Sequence, residues 1–191
     1  MDLDQIIDNI GKLPEPSKNA LKEIISEVTH PKGHILFRAD KVETKVYFIK
    51  KGIVRAYTEL ADNEITFWFG REGDTVVSMC ISMKSYVSNQ RGYENIELLE
   101  ECELYEVRKR ALHELFCKDI HIANWGREFA EKELLKTEER FIGRQFKTSL
   151  ERYRDLMNHT PDLLQRVQLG YIASYLGITQ VSLSRIRAKF R

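Results

Sequence analysis

The hydrophobic period of this chain changes partway along its length. Between Gly33 and Val107 apolar and polar residues alternate, as in ITFWF at 65–69 and CELYEV at 102–107, with turn-forming residues between the runs. From residue 109 onward apolar residues recur every three or four positions, which predicts helices. Because strands and helices are segregated along the chain, we expect an α+β fold in which a β sandwich, roll or barrel precedes a helical region.

Two segments flank or interrupt the predicted strands. An amphipathic helix is predicted from Pro16 to Val28, because apolar residues there recur at helical spacing, and the His30–Gly33 segment ends it. The polar segment Ser78–Asn95 breaks the strand rhythm. Long connections inside a small β domain are often binding loops, so we expect a binding function there.

Composition narrows the class of protein. The 191 residues suffice for one large domain or two small ones, and no apolar run is long enough to span a membrane. The N-terminus lacks the features of a signal peptide, so a cytoplasmic location is expected. The three cysteines include no Cys-x-x-Cys pair, which argues against a disulfide framework or a zinc finger. We therefore predict no metal and no cofactor.

A long helix is predicted to begin near Ile120, because no proline occurs from there to Asn158. Two apolar stripes run along it, and one small β domain cannot cover both. A stripe made of Ile122, Trp125 and Phe129 lies beside a second stripe that begins with small residues suited to close helix approach. We assign the second stripe to dimerisation: Ala123, Gly126, Ala130, Leu134, Thr137 and Phe141. The alternative is a bent helix folded back on the β domain.

The last twenty residues have the spacing of a helix-turn-helix. Ala173 is small where a second helix would cross, and Gly177 can end the first helix with positive φ. Apolar residues at 178, 183 and 186 would pin the helices together, and Thr179 can cap the second helix. The opposite face would meet DNA, with short polar residues near the helix start and basic residues beyond. Its members are Gln180, Val181, Ser182, Ser184, Arg185 and Lys189.

Charge is distributed unevenly along the chain. Residues 140–191 hold ten Lys or Arg against three Asp or Glu, a net +7, whereas residues 1–139 hold 20 basic and 26 acidic residues, a net −6. An acidic partner for the C-terminal segment alone, such as double-stranded DNA, accounts for this asymmetry.

The whole pattern resembles the Crp/Fnr family of bacterial transcription regulators. The stretch from KGHILF to GREGD (32–74) is similar to the family's cyclic-nucleotide-binding roll, and the stretch from SLERYRD to IRAKF (149–190) to its winged helix-turn-helix, in the form common among Bacteroidetes members. The resemblance implies a sensor roll of the double-stranded jelly-roll type over 1–118, a dimerisation helix over 119–145 and a winged helix-turn-helix DNA-binding domain over 146–191.

The resemblance also implies partners and site residues. A homodimer would read a near-palindromic operator and work with RNA polymerase, without a membrane. Gln180 and Arg185 take base-reading positions, while Gln168, Thr179 and Ser182 take phosphate positions. Similar sequences carry Pro-Glu after the Thr, whereas Gln180-Val181 stands here, so Val181 would touch a thymine methyl instead. The implied effector pocket comprises Phe69, Gly73, Asp74, Met79, Tyr86, Arg91 and Tyr93.

Cyclic AMP is disfavoured as the effector. Gly73-Asp74-Thr75 replaces the family's Gly-Glu turn, and Arg91 lacks the small residues that should follow it, while Glu94 would repel a phosphate. A different small ligand, or an interior filled by side chains, remains open. Two further alternatives are a cupin-type metalloenzyme, which the absence of a His-x-His motif argues against, and a non-DNA-binding interaction module. We expect no enzymatic activity.

Overall fold

The computed structural model describes residues 1–61, 63–72, 79–80 and 83–190, with only the backbone described at Met79 and Cys80. Nine helices and eight strands occur within these ranges. The elements of the first 108 residues follow in chain order: α1 (Leu3–Ile10), α2 (Glu15–Glu23), β1 (Ile25–His30), β2 (Ile35–Phe37), β3 (Lys45–Lys51), β4 (Ile53–Leu60), β5 (Asn63–Arg71), β6 (Met79–Cys80), α3 (Met83–Ser88), β7 (Asn95–Leu98) and β8 (Cys102–Arg108).

The remaining described residues form helices. They are α4 (Lys109–Lys118), α5 (Ile120–Phe146), α6 (Ser149–His159), α7 (Leu163–Arg166), α8 (Leu169–Leu176) and α9 (Gln180–Ala188). The predicted α+β fold, with a β roll, a long helix and C-terminal helices, is confirmed. No strand occurs from residue 109 to 190, so this part of the chain shows helices and no wing strand. The segment before α8 forms α7 instead, because Leu163 is buried and Arg166 N donates to Asp162 O at 3.1 Å.

Two four-stranded antiparallel sheets make the roll. Their strand orders are β1-β8-β3-β6 and β2-β7-β4-β5. Strand β1 pairs with β8 from Ile25 opposite Val107 to His30 opposite Cys102. The helix predicted from Pro16 to Val28 is therefore wrong beyond Glu23, because the second half of that segment completes a sheet edge through contacts that are distant in sequence.

The helix-covered face of the first sheet carries the main core. Val46 and Phe48 of β3 and Tyr105 and Val107 of β8 pack against the apolar sides of α1, α2, α4 and α5. The α5 members of this cluster are Ile122, Trp125 and Phe129, the stripe that the sequence placed beside the dimerisation stripe.

The chain divides into two compact units. The first comprises residues 1–56 and 69–134, and the second comprises residues 57–68 and 135–191. The outer part of the β4–β5 hairpin therefore belongs to the same unit as the C-terminal helices, which the sequence analysis did not anticipate.

Glycine is required at Gly52, in the tight turn between β3 and β4. Its φ of +115° lies in the region that side chains rarely adopt, and a Cβ added there would overlap Cys102 Sγ, with Cys102 Cα only 3.1 Å away. Cys102 is buried, and this burial raises the pKa of its thiol to about 12. The turn therefore closes directly onto a buried, protonated cysteine.

We expect Gly52→Ala to lower the free energy of unfolding more than Gly33→Ala. Gly33 also has positive φ, +80°, but no atom lies within 4 Å of an added Cβ, so its substitution costs only backbone strain of about 1–2 kcal/mol. Gly52→Ala adds an overpacking cost of about 1–3 kcal/mol. Urea denaturation of the two variants measures the difference, and equal losses would show that the turn moves away from Cys102 at no cost.

Candidate nucleic-acid interface

The helix-turn-helix predicted from the sequence is formed by α8 and α9. Gly177 ends α8 with φ 66° and ψ 36°, and Ile178 N donates to Ala173 O at 3.0 Å, which closes the turn. Ala173 is buried at the crossing, as its small size indicated, and Leu183 of α9 is fully buried beneath it. Local sequence signals thus position the second helix of the motif.

The first turn of α9 is held by two hydroxyl groups. Thr179 is the N-cap, and its Oγ1 accepts a hydrogen bond from Ser182 N at 3.1 Å. The Thr179 and Ser182 hydroxyl oxygens lie 2.9 Å apart, within hydrogen-bond distance. Both residues were expected at phosphate positions, and the structure places them side by side at the helix start, where backbone N–H groups favour an anion.

A polar and basic face of α9 remains open to solvent. Val181 is 62% exposed, and the other members of this face are also exposed: Gln180, Ser184, Arg185 and Lys189. Among the described residues none forms an ion pair with Arg185. The structure therefore brings together the α9 residues that the sequence analysis selected, with Ser182 half-buried at their edge.

The start of α8 lies beside the start of α9. Gln168 is the exposed N-cap residue of α8, and its side chain makes no capping hydrogen bond. Gln180 Oε1 lies 3.6 Å from a Cβ added at Gly170, so the Gln180 side chain reaches back over the first turn of α8. Two amide side chains thus flank one exposed surface of the motif.

Arg152 supports the motif and was not found by sequence reasoning. Its Nε and Nη2 both donate to Leu176 O, at 3.2 and 2.8 Å, so α6 holds the last carbonyl of α8. The Tyr153 and Phe190 rings pack with centroids 5.6 Å apart, which ties α6 to the residues after α9. Arg152 looks like one more basic residue in a basic segment, and nothing local marks it as buried support.

The proposed dimerisation stripe is divided by the structure. Leu134 and Phe141 are 62% and 63% exposed, and Ala130 and Thr137 are exposed with them. Ala123 and Gly126 are half-buried, and a Cβ added at Gly126 would lie 2.7 Å from the Phe116 ring of α4. The small residue at 126 therefore accommodates the Phe116 side chain of the same chain.

Further apolar side chains of α5 are exposed beyond the predicted stripe. Leu135, Ile142 and Phe146 are all more than half exposed. At 100° per residue they lie on a different side of the helix from Leu134 and Phe141. No residue from 130 to 146 is buried, so this half of α5 presents apolar side chains on two sides.

The implied effector pocket is only partly described. Gly73 and Asp74 lie outside the described residues, as does the Met79 side chain. Phe69 is buried on β5, whereas Arg91 and Tyr93 are exposed. Tyr86 lies on α3 beneath Lys109, whose Nζ is 5.4 Å from the ring centroid, and burial raises the pKa of Tyr86.

Two charged residues in the described part of the roll are buried, and the sequence analysis considered only one of them, Glu94. Arg55 on β4 is 1% exposed, and its Nη2 donates to Glu97 Oε2 of β7 at 3.1 Å. Glu94, expected to repel a phosphate, is also buried. Arg55 stands within the apolar run IVRAY, where a cation flanked by strand-forming residues is the only available signal.

The described part of the chain shows neither a metal site nor a membrane-spanning helix. Within the described residues no group of three or more His, Cys, Asp or Glu side chains is arranged to hold a metal ion. No helix in the described part of the chain combines the length and the apolar character needed to cross a membrane.

Comparisons with known proteins agree with this architecture. Residues 27–119 match the family model of the cyclic nucleotide-binding domain. No curated protein sequence matches the chain. Among solved structures, FixK2 from Bradyrhizobium japonicum is similar with a TM-score of 0.71 and 19% identity, over 87% of this chain and 84% of FixK2.

Two other solved structures show the same fold. CLP of Xanthomonas campestris, a global regulator responsive to cyclic di-GMP, has a TM-score of 0.70 and 17% identity, over 93% of this chain and 91% of CLP. A protein from Eubacterium rectale, assigned to the Crp/Fnr family of transcriptional regulators, has a TM-score of 0.72 and 16% identity, over 93% of this chain and 83% of its own. Residues 27–119 thus match the cyclic nucleotide-binding domain, and the chain has the fold of FixK2 and of the Eubacterium rectale protein.

Proposed function

We propose that this protein is a sequence-specific DNA-binding transcription regulator that acts as a homodimer. The observation that carries the proposal is the exposed polar and basic face of α9, presented by a helix-turn-helix whose turn, cap and core are all formed. Such a helix enters the major groove with its first residues against the base edges. Bound to an operator, the dimer would act on transcription through RNA polymerase.

Each exposed residue of α9 has a chemical role in this proposal. Arg185 donates two parallel hydrogen bonds to guanine O6 and N7, and Gln180 pairs with adenine N6 and N7. Val181 contacts a thymine methyl group. Lys189 and the hydroxyl groups at the start of α9 contact phosphates, which position the helix without reading sequence. The net +7 of residues 140–191 attracts the DNA backbone to this part of the chain.

Dimerisation is proposed through the second half of α5. The second half of α5 has no buried residue, and a helical segment without packing partners is marginal in water. Its large exposed apolar side chains indicate a partner surface. Leu134, Thr137 and Phe141 repeat at the three- and four-residue spacing of a two-helix seam, which favours a second copy of α5. Two copies place two recognition helices on half-sites of a near-palindrome.

The effector, if the roll binds one, is proposed to be other than cyclic AMP. Arg91 is the only basic residue between 85 and 107, and it is exposed rather than directed into the roll. Arg55, a buried cation of the roll, is already engaged by the half-buried Glu97, and Glu94 adds a buried carboxyl group. These carboxylates disfavour a cyclic phosphate. The match to the cyclic nucleotide-binding domain favours cyclic-AMP-dependent binding as the second candidate.

The first test is selection of bound sequences from a random duplex pool, with and without cyclic AMP, at two salt concentrations. We expect a near-palindrome to be enriched equally in both conditions, with affinity falling as salt rises because counterions are released. Enrichment only with cyclic AMP would support the second candidate. Failure to enrich any sequence at low salt, with or without the nucleotide, would contradict DNA reading.

Substitution of Arg185 tests the base-reading role. Arg185→Ala should weaken binding to the selected site by about 1–3 kcal/mol and relax one base position in each half-site. Lys189→Ala is the matched control on the same helix, and it should weaken all sequences evenly and reduce the salt slope by about 1. Fluorescence anisotropy on a set of single-base variants measures both. An even loss for Arg185→Ala would make Arg185 a phosphate contact instead.

Paired substitutions on α5 test the dimer seam. Leu134→Glu with Phe141→Glu would bring like charges into the seam, and should raise the dimer dissociation constant at least about 100-fold. Leu135→Glu with Ile142→Glu changes the neighbouring exposed residues on another side of the helix, and should leave the dimer intact. Light scattering after size-exclusion chromatography gives the masses. The reverse result would move the seam to the second side of α5.

A further inference from the structure

The first helix of the motif is bonded to the β4–β5 hairpin by a single serine. Ser174 Oγ of α8 donates to Glu64 O at 2.8 Å and accepts from Thr66 N at 2.9 Å. All three residues belong to the C-terminal unit, which contains residues 57–68 of the hairpin. The Ser174 hydroxyl group thus donates one hydrogen bond to Glu64 and accepts another from Thr66, two residues further along the same strand.

Arg144 makes a second set of bonds at the same strand. Its Nη2 donates to Thr66 O at 3.5 Å and to Tyr175 O of α8 at 3.3 Å. Both backbone groups of Thr66 are therefore engaged by side chains, one from α8 and one from α5. We call this arrangement of Ser174, Arg144 and the Glu64–Thr66 strand segment the hairpin clamp.

The hairpin clamp leaves the DNA-facing surface open. It uses Ser174 and the carbonyl of Tyr175 on α8, whereas Gln180, Val181 and Arg185 of α9 stay exposed while it is formed. The clamp and DNA therefore do not compete for side chains, and both can be engaged together.

We propose that Ser174 and Arg144 are positioning residues for DNA recognition, which rests on the proposed function. They hold the helix-turn-helix on the hairpin in the arrangement that binds DNA. A motif that is already held loses less orientational freedom when two recognition helices engage two half-sites. Because coupling between two equilibria is reciprocal, DNA binding must in turn tighten the clamp.

The clamp can be tested with variants that differ by one hydroxyl group. Ser174→Ala removes both bonds, whereas Ser174→Thr retains an Oγ that can donate and accept. We expect Ser174→Ala to weaken binding to the selected duplex by about three- to tenfold, the range that one or two net hydrogen bonds supply, and Ser174→Thr to stay within about twofold of the parent. Arg144→Met, which keeps the apolar stem, should weaken binding about two- to tenfold.

Amide hydrogen exchange at Thr66 reports the clamp directly. The Thr66 N–H should exchange slowly in the parent protein, faster in Ser174→Ala, and more slowly still in the parent bound to the duplex. Thermal unfolding of each variant, followed by circular dichroism, shows whether it is folded. If Ser174→Ala does not fold, Arg144→Met and Ser174→Thr carry the same comparison.

The outcomes separate this inference from the proposed function. Parent-level affinity in Ser174→Ala, with faster exchange at Thr66, would make the clamp a structural contact only and overturn the inference. The same holds if duplex binding leaves Thr66 exchange unchanged. Absence of duplex binding by the parent protein would overturn the proposed function, and this inference with it.

Discussion

Burial of Trp125 fixes the first part of the long helix α5 in the hydrophobic core. The indole lies between α1 and the first sheet, its Nε1 donates to Ile7 O at 3.0 Å, and its ring packs 6.2 Å from Phe48. Phe129, one turn further along α5, is also buried. Lys132, two turns further along, donates from its Nζ to Ile10 O at 2.6 Å. From residue 130 to residue 146 no residue of α5 is itself buried. The first part of the helix therefore belongs to the core, whereas most residues of the second part are exposed.

The parts of the fold that sequence analysis predicted are those with local causes. The effects of Gly177, Thr179 and Leu183 fall on residues close to them in the sequence. The helix-turn-helix could therefore be predicted residue by residue. Alternation marked β3, β4, β5 and β8 in the same way. Strand β1 was taken for helix because residues 25–28 also fit a helical stripe, and only their pairing with β8, about 80 residues later in the chain, selects the extended form.

In the candidate interface, too, features with local causes could be predicted and features set by distant contacts could not. The exposed face of α9 could be predicted, because a face is defined by spacing along one helix. Ser174 and Arg144 could not, because their partners are backbone groups of a strand more than 70 residues away. Gly126 is a related case. A small residue on a helix indicates close approach, but its sequence neighbours do not say whether α4 or a second molecule makes that approach.

Ser174 of α8 also affects how strand β5 can pair with other strands. In the described sheet order β5 is the end strand of β2-β7-β4-β5, and an end strand is a place where a strand of another molecule can pair. Side chains from α8 and α5 occupy the backbone groups at Thr66 with the wrong geometry for continuing a sheet. The helical part of the C-terminal unit thus covers the backbone groups through which a second strand would pair with β5 at Thr66.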